Sequence, residues 1–515
     1  MASLLLGSTE ILFVLKTLFL VGWVLIPAGA VAERINHEGR LLGAPPVVTN
    51  AVLFNTPEAD AIVSAMQIFP TTNAWNEDIS RRPVLTNSDA MMAQIIADLQ
   101  TTRRSLRVFQ EMNFVLVPDA QPLAPVSFID YPDESDPSPY PVPANMPIET
   151  WPSQTSGQTL QQWQQDVNAW GGDRHAIIVQ PGSGFIWEMW QAKLVGTSWE
   201  ASNGAKFNLK TNGLRPLGWT SGDAAGLPMF AALVRYDECE RGMVEHACRI
   251  VVARSRREYI YPATHYASTT AATQTNVPAM GQRVRLKSTF VIPPTWAKQE
   301  KALLLGLKKY GALVADNGGF FSISITPDDR WPANAFNHIS GIGITNFEVI
   351  QTTGETGGTR SPGAPLANAG PDQTLTPGNP VTLQGHVSFG GATPAIQWRL
   401  YSGPGTVTFG DATRTNTTAS FSIPGIYTLM LSADDGVHAV TYDATVVTVT
   451  QGITLAMTRS GANLSLTWVG GTAPFVVEHA DSPSAGPWSG VMTTSVQSVS
   501  LPIAGVNGFF RVRGN

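Results

Sequence analysis

The stretch 238-ECERGMVEHACRIVVARSRREYIYPATHY-266 gathers both cysteines of the chain, two of its eight histidines, five arginines and four acids into 29 residues. Acids and imidazoles at this density are the material of proton transfer. Read as a strand, 244-VEHACRIVV-252 alternates so that His246 lies with Val244, Cys248, Ile250 and Val252 on an apolar face. Glu245 and Arg249 then share the opposite face. Asp237, Glu238 and Glu240 fall at the preceding strand end, where functional groups gather more often than in cores. The bland alternative is a satisfied core histidine beside surface ion pairs.

A second constellation is 173-DRHAIIVQPGSGFIWEMW-190. Pro181-Gly182-Ser183-Gly184 is a turn, so the segment reads as a hairpin. With Val179 facing Phe185, His175 shares a face with Ile177, Trp187 and Met189, while Glu188 joins Arg174 and Trp190 on the other. A carboxylate beside tryptophan is what a sugar site uses, the ring stacking on a pyranose while the acid moves the proton. Glu188, Glu245, Asp237, Glu238 and His246 are therefore the catalytic candidates, and Trp187, Trp190, Arg249, His175 and Asp173 the substrate-binding ones. The competing account pairs Glu188 with Arg174 as a simple ion pair.

A lyase acting on uronates would instead use a histidine or tyrosine base with arginine neutralising the substrate carboxylate. Arg249, Arg254, Arg256, Arg257, Tyr259 and Tyr261 supply those types, and Arg283, Arg285 and Lys287 form a cationic strip on one strand. His175, His246 and His265 could hold a transition metal, but no H-x-H pair occurs, and neither metal nor cofactor is expected. Asp223, Asp316 and Asn317 lie in glycine-rich stretches, as turn residues or as pieces of a cleft rim.

The elements that must position these groups are mainly β. Period-two or β-branched runs at 174–179, 185–190, 244–252, 283–292 and 319–325 predict strands. Two helices are predicted, over 88–106 with Ser88 as cap and over 295–311 with Thr295 as cap and Gly311 at the end. The segment 352–365, rich in Gly, Thr and Pro without apolar period, reads as a linker. Beyond the linker the chain is a succession of short strands with turn signals.

Composition bounds the rest. A chain of 515 residues is too long for one core. Charged residues are 14% of it, where about 25% is usual. A net charge of −6 gives no basic field for nucleic acid. Lys16, an apolar run from 17 to 32 broken by Pro27, and Ala30-Val31-Ala32 have the layout of a signal peptide cleaved after Ala32, which would place the mature protein outside the cell or in the periplasm. Membrane association would arise only if that signal were retained. In an oxidising compartment, Cys239 and Cys248 are expected to pair as a disulfide across an Arg241-Gly242 turn.

The opening AGPDQ at 369–373, Trp398 and the Pro424-Gly425-Ile426-Tyr427 stretch resemble the PKD-type immunoglobulin-like module over 366–450. The resemblance implies a small β-sandwich. Residues 451–515 are similar to a fibronectin-III-like end module. Phrases such as 173-DRHAIIV-179 and 214-LRPLGWTSGDAAGLP-228 make residues 33–351 similar to a family of exported bacterial proteins, a resemblance that carries no catalytic residues over. The expected architecture is an N-terminal β-sandwich-like domain with a few peripheral α-helices, followed by two small β-sandwich modules. The expected function is a secreted glycoside hydrolase using two carboxylates on an extracellular polysaccharide. The alternatives are a non-catalytic protein that binds glycan or mediates cell-surface adhesion, and a uronate lyase.

Overall fold

A computed structural model describes residues 33–515 apart from 170, 356–361, 377, 472, 483–486, 504–507 and 515. The proposed signal segment and the middle of the linker lie outside the described residues. The chain is mainly β, and four separate apolar cores organise it.

Two mixed sheets form the body of residues 33–351. One has five strands in the order Val52–Leu53, Val115–Leu116, Ala176–Gln180, Phe185–Trp190 and Asn203–Asn208. The other has six, in the order Phe347–Val349, Arg283–Leu286, Ala312–Asn317, Cys248–Val252, Phe321–Ile325 and Leu106–Gln110. Both contain parallel pairs, such as Cys248–Val252 beside Ala312–Asn317. Parallel strands buried on both faces read as continuous apolar runs rather than alternation, which is why 312–317 carries no period-two signal. Ile177, Val179 and Ile186 of the first sheet join Ile250, Ile323 and Ile325 of the second in one core. The opposite face of the five-stranded sheet packs Ala176, Ile178 and Met189 against Val126 and Trp199 of a small three-stranded sheet.

The helices are shorter than the periodicity suggests. The first expected one spans Ser88–Asp98, and Ser88 does not cap it: its Oγ accepts from the Val349 backbone N at 2.9 Å. The second spans Lys298–Lys309 and follows Ala297, whose backbone N donates to Glu300 Oε2 at 2.9 Å. Gly311 does take the left-handed conformation there, φ +66°.

Two corrections concern the opening stretch. Tyr236–Arg241 is a helix, not a strand, with Gly242 at φ 101° closing it. Cys239 therefore lies on a helix and Cys248 on a strand whose neighbour at that point is Ala312. The two are not cross-strand partners, and both thiols are free and fully buried.

Residues 369–449 form a sandwich around Trp398, whose Nε1 donates to the carbonyls of Arg414 and Thr415, both at 3.1 Å. Tyr427 reaches back to the Ile423 carbonyl at 2.7 Å, the corner contact that ties a strand end in immunoglobulin-like folds. Residues 453–513 form a second small sandwich on Leu466, Trp468, Phe475 and Val477. No helix among the described residues is long and apolar enough to cross a membrane.

Candidate functional site

Arg249 stands at the centre of a buried polar cluster between the two large sheets. The antiparallel register that pairs Val251 with Ser322 also sets Arg249 opposite Ser324, and Nη1 donates to Ser324 Oγ at 2.8 Å. Nε and Nη2 grip both oxygens of Asp223, at 2.9 and 2.7 Å. Asp223 comes from the loop 219–228, which is tied down by the Ala225 N bond to the Ala315 carbonyl at 3.0 Å.

Asp316 reaches this cluster through a bulge. The ladder between the two parallel strands runs Ile250 to Val314 and then Val251 to Asp316, skipping Ala315. The extra residue turns Asp316 to the face that Arg249 occupies, 3.8 Å from its Nη2. Asp316 is the open member of the set, its side chain 28% exposed. Burial, followed by the charge on Asp223, pushes its carboxyl up to about 6 despite Arg249.

Glu111, Glu149 and His175 complete the cluster. Ser324 Oγ donates to Glu111 Oε1 at 2.7 Å, and burial with the neighbouring Glu149 raises the Glu111 carboxyl above its ordinary value. His175 places Nδ1 at 2.9 Å from Glu149 Oε2 and Nε2 at 2.9 Å from the Gly222 carbonyl. Both partners are acceptors, so both ring nitrogens donate and the ring is an imidazolium. Burial opposes that charge, but Glu149 prevails and lifts His175 to about 9.

Glu188 lies behind. The hairpin pairs Gln180 with Phe185 and Ile177 with Glu188, one residue away from the expected register. The slip puts Glu188 on the face of Ile177 and His175, and Trp187 on the other. Glu188 is fully buried and accepts from the backbone N of Met229 at 2.9 Å and of Phe230 at 2.9 Å. Burial raises it to about 7. Trp187 bonds Gln180 Oε1 at 2.9 Å beneath Tyr140, Trp190 meets Asp173 at 3.4 Å, and Arg174 pairs with Asp166 rather than Glu188. The sequence-derived sugar site therefore divides between the two faces of one sheet.

Beside Asp316 runs a row of rings. Asn317 Nδ2 donates to the Ala267 carbonyl at 2.7 Å, and His265 Nδ1 contacts the Ala224 carbonyl at 2.8 Å, so segment 264–267 adjoins the loop of Asp223. His265 and Tyr266 lie within 2° of parallel at 5.7 Å, and Tyr266 and Tyr259 within 16° at 6.3 Å. All three are half-buried, and exposed Arg257 donates to the Tyr266 hydroxyl at 3.2 Å.

The remaining predicted residues form a second, closed network. Arg235 meets Glu238, and Asp237 pairs with Arg241 at 2.5 Å. His246 lies in a loop, spanning Glu238 at 3.1 Å and the Ala247 carbonyl at 2.7 Å. Glu245 gives its oxygens to Arg40, at 3.0 to 3.2 Å, and to Asn36 at 2.9 Å. Burial works against the charge of Glu238, yet Arg235 and His246 hold it at about 2. No side-chain hydrogen bond or ion pair among the described residues joins this network to that of Arg249. Two of the three cations of the strip face inward: Arg283 donates to the carbonyls of Tyr310 and Ala74, and Arg285 to that of Ile79, while Lys287 lies past the strand end and donates to the Thr345 carbonyl. His175, His246 and His265 have separate partners, and the described residues hold no grouping of three metal-ligating side chains.

Residues 369–449 match a PKD-domain family, so the chain carries a PKD module towards its C-terminus. Among solved structures, the PKD domain from KIAA 1837 protein is 26% identical, with 20% of this chain and 98% of that chain covered and a TM-score of 0.16. The PKD domain of human KIAA0319 is 21% identical, with 22% and 96% covered and a TM-score of 0.17. The fibronectin(III)-like modules of Clostridium thermocellum CbhA are 11% identical, with 29% and 84% covered and a TM-score of 0.16. No curated protein matches the chain.

Proposed function

We propose that the protein is an exported glycan-binding protein that engages an extracellular polysaccharide or cell-surface glycan on the row Tyr259, Tyr266 and His265 beside Asp316. The observation that carries this reading is the near-parallel alignment of three half-buried rings on the segment whose Ala267 carbonyl is held by Asn317, the neighbour of the partly exposed Asp316. Aromatic faces pack against the apolar face of a sugar ring, and an adjoining carboxylate accepts from its hydroxyls. The resemblance of residues 33–351 to exported bacterial proteins and of 451–515 to a fibronectin-III-like module supports an extracellular setting. Affinity electrophoresis of the full chain against neutral, amino and uronate polysaccharides tests the reading. Retardation in at least one gel, weakened about tenfold in Tyr266→Ala, is the expected outcome, and unretarded migration of the wild type in all of them overturns it.

A glycoside hydrolase is the second reading, favoured by one feature: Asp316 and Glu111 both sit above the ordinary carboxylate range around one arginine. A carboxyl lifted towards neutrality is what a general acid needs. In this reading the acid is Asp316 in place of Glu188 or Glu245, which are engaged by backbone amides and by Arg40. Release of reducing ends that disappears in Asp316→Asn would favour it over simple binding.

A further inference from the structure

The acids of the closed network have a use that catalysis does not explain. Residues 34–42 fold back on themselves, with Asn36 N donating to the Arg40 carbonyl at 3.0 Å and Leu42 N to that of Arg34 at 2.8 Å. Gly39 sits at the tip with φ +71°, a conformation that side chains rarely adopt. One side of this hairpin is fastened to the N-terminal domain. Arg40 grips Glu245 and donates to the Ser64 carbonyl at 2.8 Å, His37 Nε2 meets the Glu245 carbonyl at 2.6 Å, and Glu38 pairs with Lys309 at 2.5 Å.

The other side faces the PKD module. Leu41 N donates to the Tyr401 hydroxyl at 3.0 Å. Gly39 lies so close to Tyr442 that a β-carbon there would fall 2.9 Å from the ring. Nearby, Arg81 makes a two-pronged pair with Asp434 at 2.8 and 2.9 Å. The exposed arginine pair alone contributes little. The hairpin is different, because its anchor is the largely buried Glu245 carboxylate and its outer edge is shaped to two tyrosines of the module.

We propose that hairpin 34–42 is a clasp that docks the PKD module on the N-terminal domain, so that the module is a fixed arm and not a free spacer. Glu245 is in this account the receptor for Arg40.

Small-angle scattering of the full chain tests the clasp from both sides of the joint. The wild type is expected to give one compact pair-distance distribution. Tyr401→Phe combined with Tyr442→Ala removes the module's contacts to the hairpin without touching the Glu245 network, and Arg40→Ala frees the hairpin from its anchor. Both are expected to add a shoulder at longer distances, with the helix and strand content by circular dichroism unchanged. If Arg40→Ala loses that content, Arg40→Lys takes its place, keeping the charge and losing the forked grip. A wild type that is already extended overturns the proposal, as do variants that retain the compact profile. Opening by the tyrosine variant alone also overturns it, since the module would then be held without the Arg40–Glu245 anchor that makes the hairpin a clasp.

Discussion

The molecule holds two clusters built from the same residue types, arginine, histidine and carboxylate, and they differ in balance. Around Glu238, the cations Arg40, Arg235 and Arg241 with His246 face Asp237, Glu238 and Glu245, and Glu238 is held at about 2. Around Arg249, one arginine and His175 face Glu111, Glu149, Asp223 and Asp316, with Glu188 behind, and three of those acids are raised. A matched buried network fixes geometry. A network with surplus carboxylate keeps acids near neutrality, the condition that marks functional sites more often than structural ones.

The sharpest way to break the comparison is to remove one cation from the matched cluster. Arg235→Ala leaves Glu238 buried beside an unfilled partner position, and the expected loss is about 3–5 kcal/mol in urea unfolding. Asp316→Asn in the surplus cluster should leave the protein folded and at least as stable at pH 7. If both substitutions destabilise alike, the distinction between matched and surplus networks fails.

The pH dependence sharpens the point. Asp316 has a folded-state value near 6, above its ordinary 3.8, so its contribution favours folding at low pH and is lost as pH rises through 6. The stability of Asp316→Asn relative to wild type should therefore be level below about pH 4, improve between pH 4 and 6 by at most about 1.4 kcal/mol per pH unit crossed, and level off above 6. Glu238 has the opposite sign: its folded value near 2 lies below 4.5, so its stabilisation is complete above 4.5 and is lost as pH falls through 2. Denaturant titrations from pH 3 to pH 7 on wild type, Asp316→Asn and Glu238→Gln check both slopes.

A smaller effect is expected at the ring row. Tyr266→Ala should weaken glycan retention about tenfold, which is ~1.4 kcal/mol, with helix and strand content by circular dichroism retained. Smallest is the thiol test. Burial raises both thiols, so Cys239 and Cys248 should resist alkylation in the native protein and both react after unfolding, without reductant. A mass 2 Da lower before reduction would instead restore the disulfide expected of an exported chain.

Strands with an uninterrupted side-chain pattern were legible: Phe185–Trp190 has the limits that its residues imply. The register was not, because the expected connection and the observed one differ by a single residue and place Glu188 on opposite faces. The helix Tyr236–Arg241 left a readable trace, acids in its first turn, Arg241 in its last and Gly242 after it, but the β-branched run beyond it drew the assignment to strand. Asp223 and Asp316 could be noted as rim residues from their glycine-rich surroundings. Glu111 and Glu149 could not, since their partners Ser324 and His175 are 213 and 26 positions away and no local pattern announces either contact.

The bulge at Ala315 ties together more than the turn of one carboxylate. The residue that the ladder skips is also the one whose carbonyl receives Ala225 and so suspends the Asp223 loop. Two segments nearly a hundred positions apart are thus indexed to a single inserted residue. Substitutions within either segment leave that index intact, whereas shortening the strand by one residue discards it.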